Sequence, residues 1–252
     1  MSKRHDKLGI KQVIRKHWLD HVVRMLLAGL SAKEIREELK QYLAAEKPFK
    51  GATPDTHRFI IQILTSWFDP EKELIPFRDH ALELIRKNGA EDWLPHHWAI
   101  ISASYPFWFN VAKQTGRLLN LQDQITQAQV FSRLKELYGD REAVARNARY
   151  GIRSFVAWGV LEDTKVKGCY EQSKPTAISE PNLTILLYEA ALYADKEGKA
   201  ALGLLKNNPA FFPFQLSVLT GDYISQHVAV YSERRRRSRV DCPCTRRSER
   251  PC

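Results

Sequence analysis

The segment from Ile125 to Gln172 restricts the fold of this chain more than any other part of its sequence. Thr126 and Gln129 have the spacing of a capping box, in which each side chain satisfies a backbone N–H group of the other residue and so starts a helix. Gly139 can adopt the left-handed conformation that ends this helix. Asp140, directly after it, is a favourable N-cap for a second helix. The segment therefore predicts two consecutive helices joined by a sharp turn.

The predicted second helix, which runs to about Trp158, has two chemically different sides. Its apolar residues recur at helical spacing on one side, and they are Val144, Ala148, Ile152 and Phe155. Arginines project from the opposite side, and they are Arg146, Arg149 and Arg153, with Tyr150 on their flank. A helix that contacts nucleic acid needs one side that docks on its domain and one basic side that faces outward.

A short hairpin is predicted directly after this helix. Residues 160–163 and 169–171 can form its two strands, and Lys165, Lys167 and Gly168 form a basic turn between them. Two helices followed by such a hairpin are typical of a winged helix-turn-helix, with residues 107–119 as its first helix. A lysine-tipped wing usually touches backbone phosphate, which positions a protein without reading sequence. The predicted nucleic-acid contacts are Arg141, Arg146, Arg149, Tyr150, Arg153, Lys165 and Lys167.

Other functions remain open beside duplex DNA binding. Exposed arginines are usually just solvated, and small winged-helix units also serve as protein-interaction modules. One alternative is therefore a scaffold subunit, in which the winged unit and the aromatic loop near Phe211 bind other subunits. An RNA-binding protein of antitermination type is another. An enzyme is disfavoured, because the sequence has no glycine-rich phosphate loop, no nucleophile motif and no recognisable carboxylate pair. No cofactor and no metal are expected, since His17/His21 is better explained as a surface or core histidine pair and His96/His97 by packing or capping.

The net charge of +10 suits a polyanionic partner but is unevenly distributed. Residues 233–252 contain eight arginines and three acids, so this tail carries +5 and the rest of the chain carries the other +5. The tail also holds three of the four cysteines, at a spacing that matches no common zinc site. It is predicted to be disordered and is given no specific role.

The rest of the chain predicts an all-α fold with a minor β-hairpin. One amphipathic helix is predicted from Ile10 to Met25, a capping box at Ser31 and Glu34 starts the next, and Thr53-Pro54 starts a third. A last helix is predicted over residues 221–236. Four parts result: an N-terminal helical bundle (1–104), the winged helix-turn-helix (105–175), a C-terminal helical segment packing on the body (176–232) and the tail (233–252). A polar N-terminus and the lack of a long apolar run predict a soluble, cytoplasmic protein without membrane contact.

Several short aromatic motifs resemble those of a known family. They are His97-Trp98-Ala99, Tyr105-Pro106-Phe107, Gly116-Arg117-Leu118-Leu119, Trp158-Gly159-Val160-Leu161 and Phe212-Pro213-Phe214. In these the chain resembles the small BrxA proteins of BREX phage-defence islands, over roughly residues 10–232. The resemblance implies an all-helical, NusB-like fold that binds DNA. It also implies a non-enzymatic accessory protein that works with other subunits of a bacterial defence system, and it does not include the tail.

Overall fold

The computed structural model describes residues 3–46, 55–89, 92–227, 229–233 and 237–241, and most of these residues lie in helices. In the described ranges, six α-helices precede residues 124–172. They are α1 (Lys16–Leu27), α2 (Ala32–Ala45), α3 (Thr56–Phe68), α4 (Ile75–Asn88), α5 (Leu94–Ser104) and α6 (Pro106–Leu119). That segment contains β1 (Gln124–Thr126), α7 (Gln127–Tyr138), α8 (Glu142–Ala157), β2 (Leu161–Asp163) and β3 (Cys169–Gln172). The mainly helical class predicted from the sequence is confirmed.

The C-terminal part alternates short strands with helices. Its elements are β4 (Thr176–Ala177), α9 (Pro181–Ala194), β5 (Lys199–Ala201), α10 (Leu202–Lys206), a 3-10 turn (Pro209–Phe211), β6 (Phe214–Gln215), α11 (Gly221–His227), β7 (Ala229–Glu233) and β8 (Arg237–Asp241). Strands β4 and β6 pair in parallel, and β8 lies between β5 and β7 in an antiparallel sheet. This part therefore contains more strand than the predicted helical segment.

Both predicted capping boxes are present. The Ser31 hydroxyl accepts from the Glu34 amide, and the Glu34 carboxylate accepts from the Ser31 amide at 2.8 Å. Gln129 does the same for Thr126, whose amide donates to Gln129 Oε1 at 2.7 Å. These boxes fix the first residues of α2 and α7 without any help from distant parts of the chain.

The N-terminal helix is shorter than predicted, because its expected first residues bond to α8 instead. Ile10 and Ile14 are buried, yet α1 begins only at Lys16. The Ile14 amide donates to Ser154 Oγ at 2.8 Å, and the Ile14 carbonyl accepts from Trp158 Nε1 at 2.9 Å. These partners, 140 and 144 residues away along the chain, satisfy backbone groups that a helix would otherwise satisfy.

The predicted last helix is also too long. Helix α11 ends at His227, and Ala229–Glu233 then pairs with Arg237–Asp241, so that the ladder aligns Val230 with Val240. The second of these strands lies inside the segment that was predicted to be disordered. The backbone hydrogen-bonding groups of this segment are satisfied by a neighbouring strand, which sequence periodicity does not reveal. The helix start at Thr53-Pro54 and the tail cysteines lie outside the described residues.

One continuous cluster of buried apolar side chains runs from Ile10 to Ile224, so the predicted N-terminal, central and C-terminal parts share a single core. Trp98 of α5 lies at its centre and is fully buried. Its indole Nε1 donates to the Ala210 carbonyl at 3.2 Å. Its ring lies 5.1–6.0 Å, between centroids, from the rings of Trp108, Phe155, Trp158, Phe212 and Phe214. This set is called the Trp98 cluster below.

Replacing the central ring should cost much of the stability of the fold. We expect Trp98→Ala to lower the free energy of unfolding by about 3–5 kcal/mol, because it removes the buried ring and leaves a cavity. Chemical denaturation followed by circular dichroism measures the change. Val218→Ala is the control, since Val218 is 97% exposed, and it should stay within about 0.5 kcal/mol of the parent protein. A small loss for Trp98→Ala would contradict the central position of this ring.

The two adjacent histidines of α5 are both buried, as the packing explanation predicts. Trp67 Nε1 donates to His97 Nδ1 at 3.1 Å, so the proton of the neutral ring is on Nε2, which donates to Asp20 Oδ1 at 2.9 Å. His96 has no hydrogen-bond partner among the described residues. Burial lowers the pKa of His97 and lowers the pKa of His96 to about 3.

His96 should make the protein less stable in mild acid. The unfolded chain binds a proton on this residue below its ordinary pKa of 6.5, whereas the folded chain does not until about 3. The contribution of His96 to the free energy of unfolding is therefore complete above pH 6.5 and falls by about 1.4 kcal/mol for each pH unit below that value. Denaturation between pH 4.5 and 6.5 measures this slope, and His96→Leu should reduce it by one proton. An equal slope in both proteins would refute the assignment.

Two other shifted groups do not act in that pH window. The bond to His97 is the main cause that holds the pKa of Asp20 below 3.8 against its desolvation, so its contribution to stability is lost only in stronger acid. The bond to Glu189 raises the pKa of His80, so that contribution is lost as pH rises above 6.5. Burial also lowers the pKa values of His5, His21 and His97, so these residues contribute to the slope of both proteins, and only the difference in slope between the parent protein and His96→Leu is assigned to His96.

Candidate nucleic-acid interface

The chain from α6 to β3 forms a compact unit with the element order helix, strand, helix, helix, strand, strand. Its three strands form one antiparallel sheet in the order β1-β3-β2. Ile125 of β1 lies opposite Tyr170 of β3, and Leu161 of β2 lies opposite Gln172. The predicted hairpin of β2 and β3 is confirmed, whereas β1 was not predicted. A strand of three residues that ends at the first residue of a capping box is too short a pattern to distinguish from a loop.

The inward side of α8 is as predicted. Val144, Ala148, Ile152 and Phe155 are all fully buried. Gly151 lies on the same side against α6, where a Cβ atom would be 3.2 Å from Val111 Cγ1. The small residue thus allows α6 and α8 to approach closely. Because these contacts fix how α8 is rotated about its axis, they also fix which residues point outward.

The start of α8 differs from the prediction by one residue. The N-cap is Arg141, not Asp140, and its side chain does not cap the helix. Asp140 instead forms an ion pair with Lys135 at 2.8 Å, which takes its carboxylate away from the helix start. The guanidinium of Arg141 donates to the Tyr138 carbonyl at 3.0 Å. The structure therefore places Arg141 in the turn before α8 and not in the row of arginines along it.

That row forms the outward side of α8. Arg146 and Arg149 are exposed, and Tyr150 is half-buried beside them. Arg146 lies 3.7 Å from Glu142, one turn earlier on the same helix. Arg149 has no ion pair with any residue in the described part of the chain. Arg149 is thus the arginine of this row whose charge is least compensated.

Arg153 connects α8 to the hairpin. Its guanidinium lies 2.5 Å from Asp163 Oδ1, at the end of β2. The hydrogen bond to Asp163, with a smaller contribution from Tyr170, raises the pKa of Arg153. The side chain of Arg153 is half-buried. The sequence placed Arg153 with the other arginines, but it did not indicate that one of the three is held by a carboxylate.

The turn of the hairpin is well defined and basic. Lys165 and Lys167 are exposed and form no ion pair with another described residue. Val166 between them is 61% exposed. Gly168 has φ +80°, which a residue with a side chain rarely adopts. Its carbonyl accepts from the Gln127 amide at 2.8 Å and so ties the hairpin to the first residue of α7.

The surface formed by the outer side of α8 and the hairpin turn is called the α8–hairpin surface. It carries the cations of Arg146, Arg149, Arg153, Lys165 and Lys167. It also carries the carboxylates of Glu142, Glu162 and Asp163, two of which pair with arginines of the row. The net charge of the surface is positive, but much of it is balanced locally. Any anion that binds here must compete with these carboxylates.

The other histidine pair lies at the surface, where His17 is exposed and His21 is half-buried. His17 Nε2 lies 2.7 Å from Glu46 Oε1, and the ring of His21 stacks on Tyr42 at 4.2 Å. Within the described ranges, no group of three or more His, Cys, Asp or Glu side chains could hold a metal ion. In the same ranges, no helix combines the length and the apolar character needed to cross a membrane.

Comparisons with protein-family models, with curated proteins and with solved structures find no match to this chain.

Proposed function

We propose that the unit from α6 to β3 is a winged helix-turn-helix that binds duplex DNA through the α8–hairpin surface. In this proposal α8 is the recognition helix and the turn between β2 and β3 is the wing. The element order and the strand order β1-β3-β2 support it, because this is the arrangement of a winged helix. The buried inward side of α8 supports it as well, since it leaves the arginines facing solvent.

The observation that carries the proposal is the position of Arg149. It lies exposed in the middle of α8 without a described counter-ion, with Arg146 about one turn before it and Arg153 about one turn after it. A helix that lies in the major groove presents such residues to base edges and to phosphates on both sides of the groove. Lys165 and Lys167 would contact backbone phosphate beside that groove.

The wider role follows the family resemblance. In our proposal the protein is a non-enzymatic accessory protein of a BREX-type defence system, which acts in the cytoplasm with other subunits. The residues of the shared motifs support a common core rather than a common binding site. Trp98, Trp158, Phe212 and Phe214 all belong to the Trp98 cluster. The motifs therefore bear on the fold, and binding has to be tested on α8.

Removing two arginines of α8 should weaken duplex binding and its dependence on salt. Fluorescence anisotropy with a labelled duplex at several salt concentrations gives both quantities for the full chain. We expect Arg146→Ala/Arg149→Ala to lower the affinity and to flatten the log–log slope by about 0.9 for each lost phosphate contact. The matched control is Arg58→Ala/Arg86→Ala, which removes two exposed arginines of α3 and α4. Equal losses in both variants would refute the proposed surface.

Removing the carboxylate that holds Arg153 should strengthen binding. Asp163→Asn releases the guanidinium and removes a negative charge that faces the phosphates. We expect a higher affinity and a slope that is steeper by up to about 0.9. The loss of this partly exposed pair should cost no more than about 1 kcal/mol of stability. Asp79→Asn is the control, because Asp79 pairs with Arg78 at 2.7 Å on α4. A weaker complex for Asp163→Asn would contradict a phosphate-binding role of Arg153.

The alternatives differ in what they predict for the same assay. A protein-interaction scaffold would show no affinity for duplex or single strands. The apolar loop at Phe211 does not support that function, because Phe211, Phe212 and Phe214 are buried in the core and are not free to bind another subunit. An RNA-binding protein would prefer structured RNA to duplex DNA in a competition experiment. A preference for RNA would make RNA, and not duplex DNA, the ligand of the α8–hairpin surface.

A further inference from the structure

Two cations of α6 lie on the side of the helix that faces away from α8. Val111 of α6 contacts Gly151 of α8. Lys113 and Arg117 follow Val111 by two and six residues, which puts them roughly 200° and 240° around the helix from that contact. Both line a surface cavity of about 530 Å³ between α6, the end of α9, β5 and α10. This cavity is called the α6 cavity, and the proposed DNA contact does not use it.

The two cations are not held in an ion pair by any described residue, although the Asp195 carboxylate on the same cavity acts on Lys113 from a longer distance. Lys113 and Arg117 are four residues apart on one helix, an arrangement in which like charges repel. Neither forms an ion pair with a residue in the described ranges, and Arg117 reaches only the neutral Gln114 Oε1, at 3.5 Å. Burial, followed by the charge of Arg117, lowers the pKa of Lys113. Lys113 is half-buried and Arg117 is exposed beside it, and two like charges at this spacing are stabilised when an anion binds between them.

The other walls of the α6 cavity differ in character. Asp195 and Glu197 contribute carboxylates, and the Asp195 carboxylate is fixed by the Glu197 amide, which donates to it at 2.9 Å. Phe109, Leu205 and Leu204 contribute apolar surface. Leu204 is 70% exposed at the rim. The cavity thus offers cations, an apolar surface and hydrogen-bond acceptors to one ligand.

We propose that the α6 cavity binds a sugar phosphate, either free or as part of a mononucleotide. The phosphate would be held by Lys113 and Arg117, because charge-assisted hydrogen bonds to a phosphate are strong. The sugar hydroxyls would donate to Asp195 and Glu197, as ribose hydroxyls do to carboxylates in nucleotide-binding proteins. A base, where present, would lie on Leu204. The volume is within the range of cavities that enclose ligands of this size.

Calorimetric titration of the full chain with AMP, ribose 5-phosphate, inorganic phosphate and adenosine tests the proposal. We expect saturable binding of AMP or ribose 5-phosphate, weaker binding of phosphate and none of adenosine. A base that contributes makes AMP the tighter ligand, whereas equal affinities identify the sugar phosphate as the ligand. Lys113→Met/Arg117→Met should lower the affinity about tenfold or more, because two charge-assisted contacts are lost. The proposal would be overturned if adenosine bound as tightly as AMP, or if neither AMP nor ribose 5-phosphate bound saturably.

Two further variants keep the result interpretable. Leu204→Trp should block the rim of the cavity and reduce binding without disturbing the core, because Leu204 is largely exposed. Arg146→Ala/Arg149→Ala should leave AMP binding unchanged while it weakens duplex binding, so the two proposals can fail independently. AMP affinity that is unaffected by both the Lys113/Arg117 and the Leu204 variants would place its binding elsewhere and refute the α6 cavity as the site.

Discussion

The packing of Trp98 determines where most other elements can lie. Its ring belongs to α5, but the rings around it come from α6, from α8 and the residue after it, and from the C-terminal segment. Aromatic groups that meet edge to face keep definite orientations as well as distances. The cluster therefore holds three parts of the chain, widely separated in sequence, in one arrangement. The position of α8, and with it the direction of its arginines, is a consequence of this core.

Helix α8 is held from more than one direction. Its apolar side packs on α6 through Gly151, and the extended N-terminal segment bonds to Ser154 and to Trp158. Its end is linked to β2 by the pair of Arg153 and Asp163. Only the row that contains Arg146 and Arg149 is left outside these contacts. A helix held in this way would lose little conformational freedom on binding a duplex, which supports the role proposed for α8.

The features that the sequence predicted depend on residues within about three helical turns of each other. The capping box at Thr126 and Gln129 and the apolar stripe from Val144 to Phe155 are of this kind. Features that need a distant partner were missed. The chain is extended at Ile14 because Ser154 accepts a hydrogen bond from its amide and Trp158 donates one to its carbonyl. Strand β1 forms because β3 lies beside it. Similarly, Lys113 and Arg117 are visible as a pair in the sequence, but Leu204 and Glu197 join them only in the fold.

The two basic regions differ in how their charge is balanced, and this difference bears on what each can bind. On the α8–hairpin surface, Glu142 and Asp163 each pair with an arginine, so a phosphate bound at these two arginines would have to replace a carboxylate, whereas one bound at Arg149 would not. Contacts between exposed cations and phosphate are sensitive to salt. In the α6 cavity Lys113 and Arg117 form no ion pair with a described residue, and the partial burial of Lys113 reduces the screening of its charge by solvent. A single small anion can therefore gain more there from fewer contacts.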